Sequence, residues 1–218
     1  MNLSELKEQP YDLVASLGQN CDPASYLRVH GLRKFSMPLD WVVSSSLSDV
    51  NRLLRNRFSG YMNLSHMRPI LGISQYVDES EAPSGQQQLK SYFIKDTQYN
   101  IVSVHDFPIV PLKTWRKTYP AYYDKLSMRM GRFLQGIDLA KSVLFVRYFG
   151  SYEQTLELES VLSTLTNREF CILLVNPVPN LKDVVEVDWG LRRVCSVQIP
   201  STDNKDAWYK LLGGIRLV

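Results

Sequence analysis

The run Tyr11-Asp12-Leu13-Val14-Ala15-Ser16-Leu17-Gly18-Gln19-Asn20-Cys21-Asp22-Pro23-Ala24 passes from strand to helix through one tight turn. Tyr11 to Leu17 reads as a short buried strand, and Ala24 to His30 as a helix that stops at Gly31. Asp22 is the expected N-cap, with Pro23 at the first helical position. Gly18 supplies backbone angles that other residues avoid. Such a turn holds Cys21 at the end of a sheet, beside the unpaired N–H groups of a helix start. Those groups favour negative charge, so the sequence predicts a thiol whose pKa lies below that of a free cysteine.

Working outward, Leu32 to Trp41 contains Pro38 and reads as an ordered loop that sets Asp40 beside Trp41. Leu47, Val50, Leu54 and Phe58 recur at helical spacing behind Ser46 as a cap. Gly60 to Gly85 reads as irregular, and residues 76–88 as a surface loop or a mobile one. Ser91–Lys95 and Tyr99–Phe107 predict a β-hairpin. A helix is expected from about Pro120, with Tyr123, Leu126, Met130, Phe133 and Ile137 on one face. Ser142–Phe149 is a continuous apolar run, as in a strand covered on both sides. Ser151 and Gln154 form a capping box ahead of an amphipathic helix. Phe170–Val175 and Arg193–Ile199 read as further strands, and a helix around Trp208 ends at Gly213-Gly214. The pattern predicts an α/β fold in a single domain, residues 1–218. Its mostly parallel sheet is flanked by helices in a Rossmann- or SGNH-like three-layer arrangement, with an inserted β-hairpin. Ligands of such sheets gather at the carboxyl ends of the strands, where Cys21 lies.

Composition narrows the function. A net charge of +3 over 218 residues is too weak and too dispersed to point to nucleic acid. No apolar run approaches the length of a membrane span, and the polar first residues do not read as a signal peptide. Three cysteines without a CxxC or a Cys/His cluster predict no disulfide framework and no metal site. A reducing cytoplasm is the expected location. No phosphate-binding loop or dinucleotide fingerprint is present, so no cofactor is expected.

A thiol nucleophile needs a base near neutrality, and only His30, His66 and His105 are available. His105 ends an apolar β run and is the candidate base. Asp40 and Asp106 are the candidate acids to orient its ring. If the strand continues, successive side chains point to opposite faces, which favours Asp40 over Asp106. Asn20, Gln19 and the Cys21 N–H are candidate oxyanion donors. Gln19, Arg33 and Trp41 are placed at the substrate, with Arg28 and Arg33 able to meet an anionic group. Cys171 and Cys195 lie within strands and read as structural.

Ser16-Leu-Gly-Gln-Asn-Cys21, Ser36-Met-Pro-Leu-Asp-Trp41 and Val104-His-Asp-Phe107 together resemble a bacterial family of unknown function, described as "putative papain-like cysteine peptidases". Its pattern is a Ser-Leu-Gly-x-Asn-Cys turn, a Pro-Phe-Asp-Trp loop and a His-Asp-Phe segment; here Leu39 replaces the Phe. The resemblance implies Cys21 as nucleophile, His105 as base, and Asp40 or Asp106 as third member. The Gly-x-Asn-Cys turn also looks like that of SGNH-like acyltransferases of surface polysaccharide biosynthesis. Three readings follow: a thiol hydrolase or peptidase, a glycan acyltransferase, or a non-catalytic module that binds a glycan or an anionic small molecule with Trp41, Tyr61, Tyr92 and Arg33 in its pocket. The partner expected is a small molecule, peptide or glycan.

Overall fold

The computed structural model describes residues 1–77 and 89–218. In chain order the elements are α1 (Leu3–Glu8), β1 (Pro10–Tyr11), β2 (Leu13–Ser16), α2 (Asp22–Val29), β3 (Val42–Val43) and α3 (Leu47–Arg55). Then come β4 (Met67–Gln75), β5 (Lys90–Asp96), β6 (Ile101–Ser103), α4 (Trp115–Leu139), β7 (Ser142–Tyr148) and α5 (Tyr152–Leu165). The chain closes with β8 (Glu169–Pro177), β9 (Val185–Val187), β10 (Val194–Ile199), α6 (Lys205–Leu212) and β11 (Arg216–Leu217). Most of the stretch 76–88, expected as a loop, lies outside the described residues.

The main sheet runs β2-β7-β8-β10-β9, with β9 antiparallel and the rest parallel. Its strands are buried on both faces, and their side chains alternate between two cores. Leu13, Ala15, Val143, Phe145, Phe170 and Ile172 face one core, shared with α3, α4 and α5. Val14, Leu144, Val146, Cys171, Leu173 and Cys195 face the other, shared with α1, α2 and α6. The period-two split follows from pleating, since neighbouring residues point oppositely. The result is a mixed α/β fold with helices on both sides of the sheet.

The expected hairpin is larger than the sequence indicated. β5 and β6 pair antiparallel, but they belong to a four-stranded sheet ordered β3-β6-β5-β4. β4 was hidden because Pro69 and Gly72 interrupt its pattern. It is an edge strand, where a missing donor is tolerated, and its register shifts between Ile70 and Ile73 around Gly72 at φ 133°. A third, two-stranded sheet pairs β1 with β11 in parallel, tying the two ends of the chain together.

Other boundaries moved for local reasons. Cys21, not Asp22, is the N-cap of α2, so Pro23 falls in the first turn one place later. α4 begins at Trp115 and carries Pro120 inside it. Trp115 is buried edge-on against Phe107, so tertiary packing anchors a turn that propensity alone would not start. The inward face of α4 uses Tyr122 in place of Tyr123 and adds Arg129, while Met130 is partly buried against the core as expected. The capping box at Ser151 and Gln154 is present as expected.

Candidate functional site

The turn after β2 is built from unusual backbone. Gly18 has φ +77° and the non-glycine Gln19 has φ +87°. A Cβ on Gly18 would lie 3.0 Å from both the Leu39 carbonyl oxygen and Ser44 Oγ. The Gln19 N–H donates to Ser44 Oγ at 3.1 Å, and the Ser44 N–H donates to the Gln19 carbonyl at 2.8 Å. Behind this turn lies Arg147, a fully buried cation inside the apolar strand β7. Its guanidinium donates to the Leu17 carbonyl (2.9 Å), Ser44 Oγ (2.8 Å) and the Ser44 carbonyl (2.6 Å). Arg147 and Ser44 thus fix the Cys21 turn, and neither was singled out from the sequence. A charged residue in an otherwise apolar strand was the available signal.

Cys21 is half-buried, whereas Cys171 and Cys195 are sealed in the core beneath α1 and α6. Burial and the adjacent Asp22 carboxylate push the Cys21 thiol above its ordinary value. The expected lowering by the helix start is therefore overcome, and the resting group is the neutral thiol. Asn20 is turned away from any oxyanion role at rest. Its Nδ2 donates to Asp22 Oδ2 at 2.8 Å, and its Oδ1 accepts from the Asp22 N–H at 3.0 Å. Cys21 and His30 cap opposite ends of α2, about 13 Å apart at 1.5 Å per residue, too far to share a proton.

His105 lies two residues beyond the end of β6, not on the strand. The β3–β6 pairing places it: Val42 faces Ser103, and the Val104 N–H donates to the Trp41 carbonyl at 3.4 Å. The Trp41 and His105 rings meet edge to face, centroids 5.9 Å apart at 85°. His105 Nδ1 lies 2.6 Å from the Gln75 carbonyl. Since a carbonyl only accepts, Nδ1 carries the proton and Nε2 keeps the lone pair. The group orienting the imidazole is thus a backbone carbonyl of β4. Among the described residues no hydrogen bond joins the imidazole to Cys21, Asp40 or Asp106.

Both acids instead hold cations. Asp40, fully buried, accepts from Arg33 Nη1 at 2.8 Å and from the Met37 N–H at 2.9 Å. Burial pushes its carboxyl up to about 6, against the pull of the Met37 N–H and Arg33. Arg33 in turn lies over the Trp41 ring, 5.1 Å from its centroid, and the Trp41 indole N–H donates to Ser36 Oγ. Asp106 accepts from Lys125 Nζ at 2.8 Å and Arg129 Nη1 at 3.1 Å. Burial works to raise the Asp106 pKa, but Arg129 and Lys125 outweigh it and hold the carboxyl below the usual range. The alternation argument against Asp106 fell away because the strand stops at Ser103. The binding-pocket set is dispersed: Tyr61 is fully buried in the core and Tyr92 packs against it, while Arg33 and Trp41 line a cleft.

No group of side chains suited to a metal ion occurs among the described residues, and no helix there is long and apolar enough to cross a membrane.

Fold and site together define a mixed α/β protein whose thiol and imidazole come from two different sheets. Residues 12–178 match the family described as "Putative papain-like cysteine peptidase (DUF1796)", and the chain belongs to that family. It is also similar to "Uncharacterized protein R408" of Acanthamoeba polyphaga mimivirus, 24% identical over 182 residues, covering 76% of this chain and 78% of that protein. No solved structure matches.

Proposed function

We propose that the protein is a cysteine-dependent hydrolase of the peptidase type, in which Cys21 Sγ attacks a carbonyl and His105 Nε2 accepts the thiol proton. The observation that carries this reading is the placement of Cys21. It is the one cysteine open to solvent, on a turn locked by Arg147 and Ser44 at the carboxyl end of a parallel strand. Membership of the family supports it.

The raised thiol pKa sets the order of events. A papain-type preformed thiolate–imidazolium pair is disfavoured here, so the proton moves to His105 as the sulfur attacks. The thioester forms as the leaving group takes that proton back; water then attacks, and the thiol is regenerated. An SGNH-like acyltransferase differs only in the last step, where a hydroxyl replaces water. Asp40 acts through Arg33 and Trp41 as a positioning residue, and Asp106 through Lys125 and Arg129.

Intact-mass analysis with a panel of thioester, ester and peptide acyl donors tests the reading. The expected result is an acyl adduct on Cys21 that is absent in Cys21→Ala and forms at least a hundredfold more slowly in His105→Ala. Adducts that persist in Cys21→Ala would overturn it.

A further inference from the structure

A cleft of about 810 Å³ is not lined by Cys21 or His105 themselves. It lies where the C-terminal end of α2, the loop before β3 and one face of α4 converge. Its walls carry Arg28, Arg33, Lys34, Lys125, Arg129 and Arg132, with Asp124 the one acid among the described residues that line it. The cations come from three separate segments and face one space. A solvated helix face would carry them outward on one element.

Three of the six are held from behind by two buried carboxylates. Asp40 fixes Arg33, and Asp106 fixes Arg129 together with Lys125. Arg33 uses Nη1 for Asp40 and Ser36, and among the described residues Nε and Nη2 have no acceptor. Arg28 and Arg132 are exposed, and neither has a carboxylate partner among the described residues. Phe35, under Arg132 at 5.4 Å, and exposed Met128 add apolar surface beside the charges. A single carboxylate would satisfy one guanidinium fork. Forks converging from three sides match a clustered anion with several acceptor oxygens.

We propose that this cleft binds a small molecule bearing clustered phosphoryl groups, with Arg28, Arg33 and Arg132 as the primary ligands. Trp41 lines the cleft and touches the His105 ring, so the anion would sit beside the imidazole. In the reading above, which this step rests on, the phosphorylated end of the substrate anchors here while its carbonyl extends past Trp41 to the thiol. Long-range charge would draw such a ligand in, and salt would weaken it.

The test is calorimetric titration of the full chain with tripolyphosphate, citrate and sulfate at 50 mM and 500 mM salt. Tripolyphosphate is expected to bind at least tenfold tighter than citrate or sulfate and to weaken tenfold or more at the higher salt. Arg28→Gln with Arg132→Gln should lower its affinity at least tenfold. Arg57→Gln with Arg192→Gln, exposed charges outside the cleft, should leave it within twofold. Equal loss in both pairs, citrate binding as tightly as tripolyphosphate, or no heat at 50 mM salt would each overturn the proposal. Cys21→Ala should bind tripolyphosphate as the parent does. Binding retained without any acyl adduct on Cys21 would leave the cleft standing and remove the cysteine mechanism.

Discussion

At Gly18 the backbone angle and the space agree that no side chain fits, because φ is +77° and a Cβ would touch Leu39 and Ser44. Gly18→Ala is expected to cost about 1–3 kcal/mol in denaturant melts, with the loss also shifting the Cys21 turn. The raised pKa of Cys21 predicts that iodoacetamide labels it with a pH midpoint above that of a free thiol, yet well ahead of Cys171 and Cys195 in the folded protein. Mass spectrometry against pH reads both. The two candidate acids titrate with opposite consequences. Asp40 has a folded pKa of about 6, above its ordinary 3.8, so the native state holds the proton more tightly. Its contribution is fully present below the ordinary value and is lost as pH rises through about 6. Asp106 is held below 3.8, so its contribution is present at neutral pH and is lost as pH falls through the folded value. Asp40→Asn should therefore remove a falling component of the stability profile between about pH 4 and 6. Asp106→Asn should cost about 3–5 kcal/mol at pH 7, because it takes the buried carboxylate away from Arg129 and Lys125. The motifs around Cys21, Asp40 and His105 were legible in sequence. The partners of the acids were not, since Arg129 looks from spacing alone like any charge on a long helix.

Among the elements, strand β7 carries more than core. Arg147 stands on it as a buried cation with four backbone or hydroxyl acceptors and, among the described residues, no acid. Burial lowers its pKa to about 9, which marks how far it is removed from water. Arg147→Met keeps the volume but leaves the Leu17 and Ser44 carbonyls without their donor. A loss of about 2–3 kcal/mol is expected in chemical denaturation, together with faster amide exchange at Gln19 to Cys21. Strands β2, β5, β6, β7, β8 and β10, with α5 and α6, could be read from the sequence pattern. β4 and the start of α4 could not, because an edge strand tolerates Pro69 and a buried Trp115 outweighs weak local propensity.

The molecule as a whole stacks two cores on one sheet, with Trp115 in the first and Trp208 in the second. Since every parallel strand contributes to both, we expect the chain to unfold as one unit. Fluorescence of Trp115-only and Trp208-only variants, and labelling of Cys171 and Cys195, should then give coincident midpoints in urea. Separate midpoints would divide the chain into two domains. By itself the sequence determined the α/β class and the strand–turn–helix around Cys21, because those depend on local periodicity and on side chains close in the chain. Only the tertiary structure decided that His105 is oriented by a carbonyl of β4, that Asp40 and Asp106 anchor cations, and that six positive side chains share one cleft. These are contacts between segments tens of residues apart, fixed by strand register and by the burial of charge, and no local pattern encodes them.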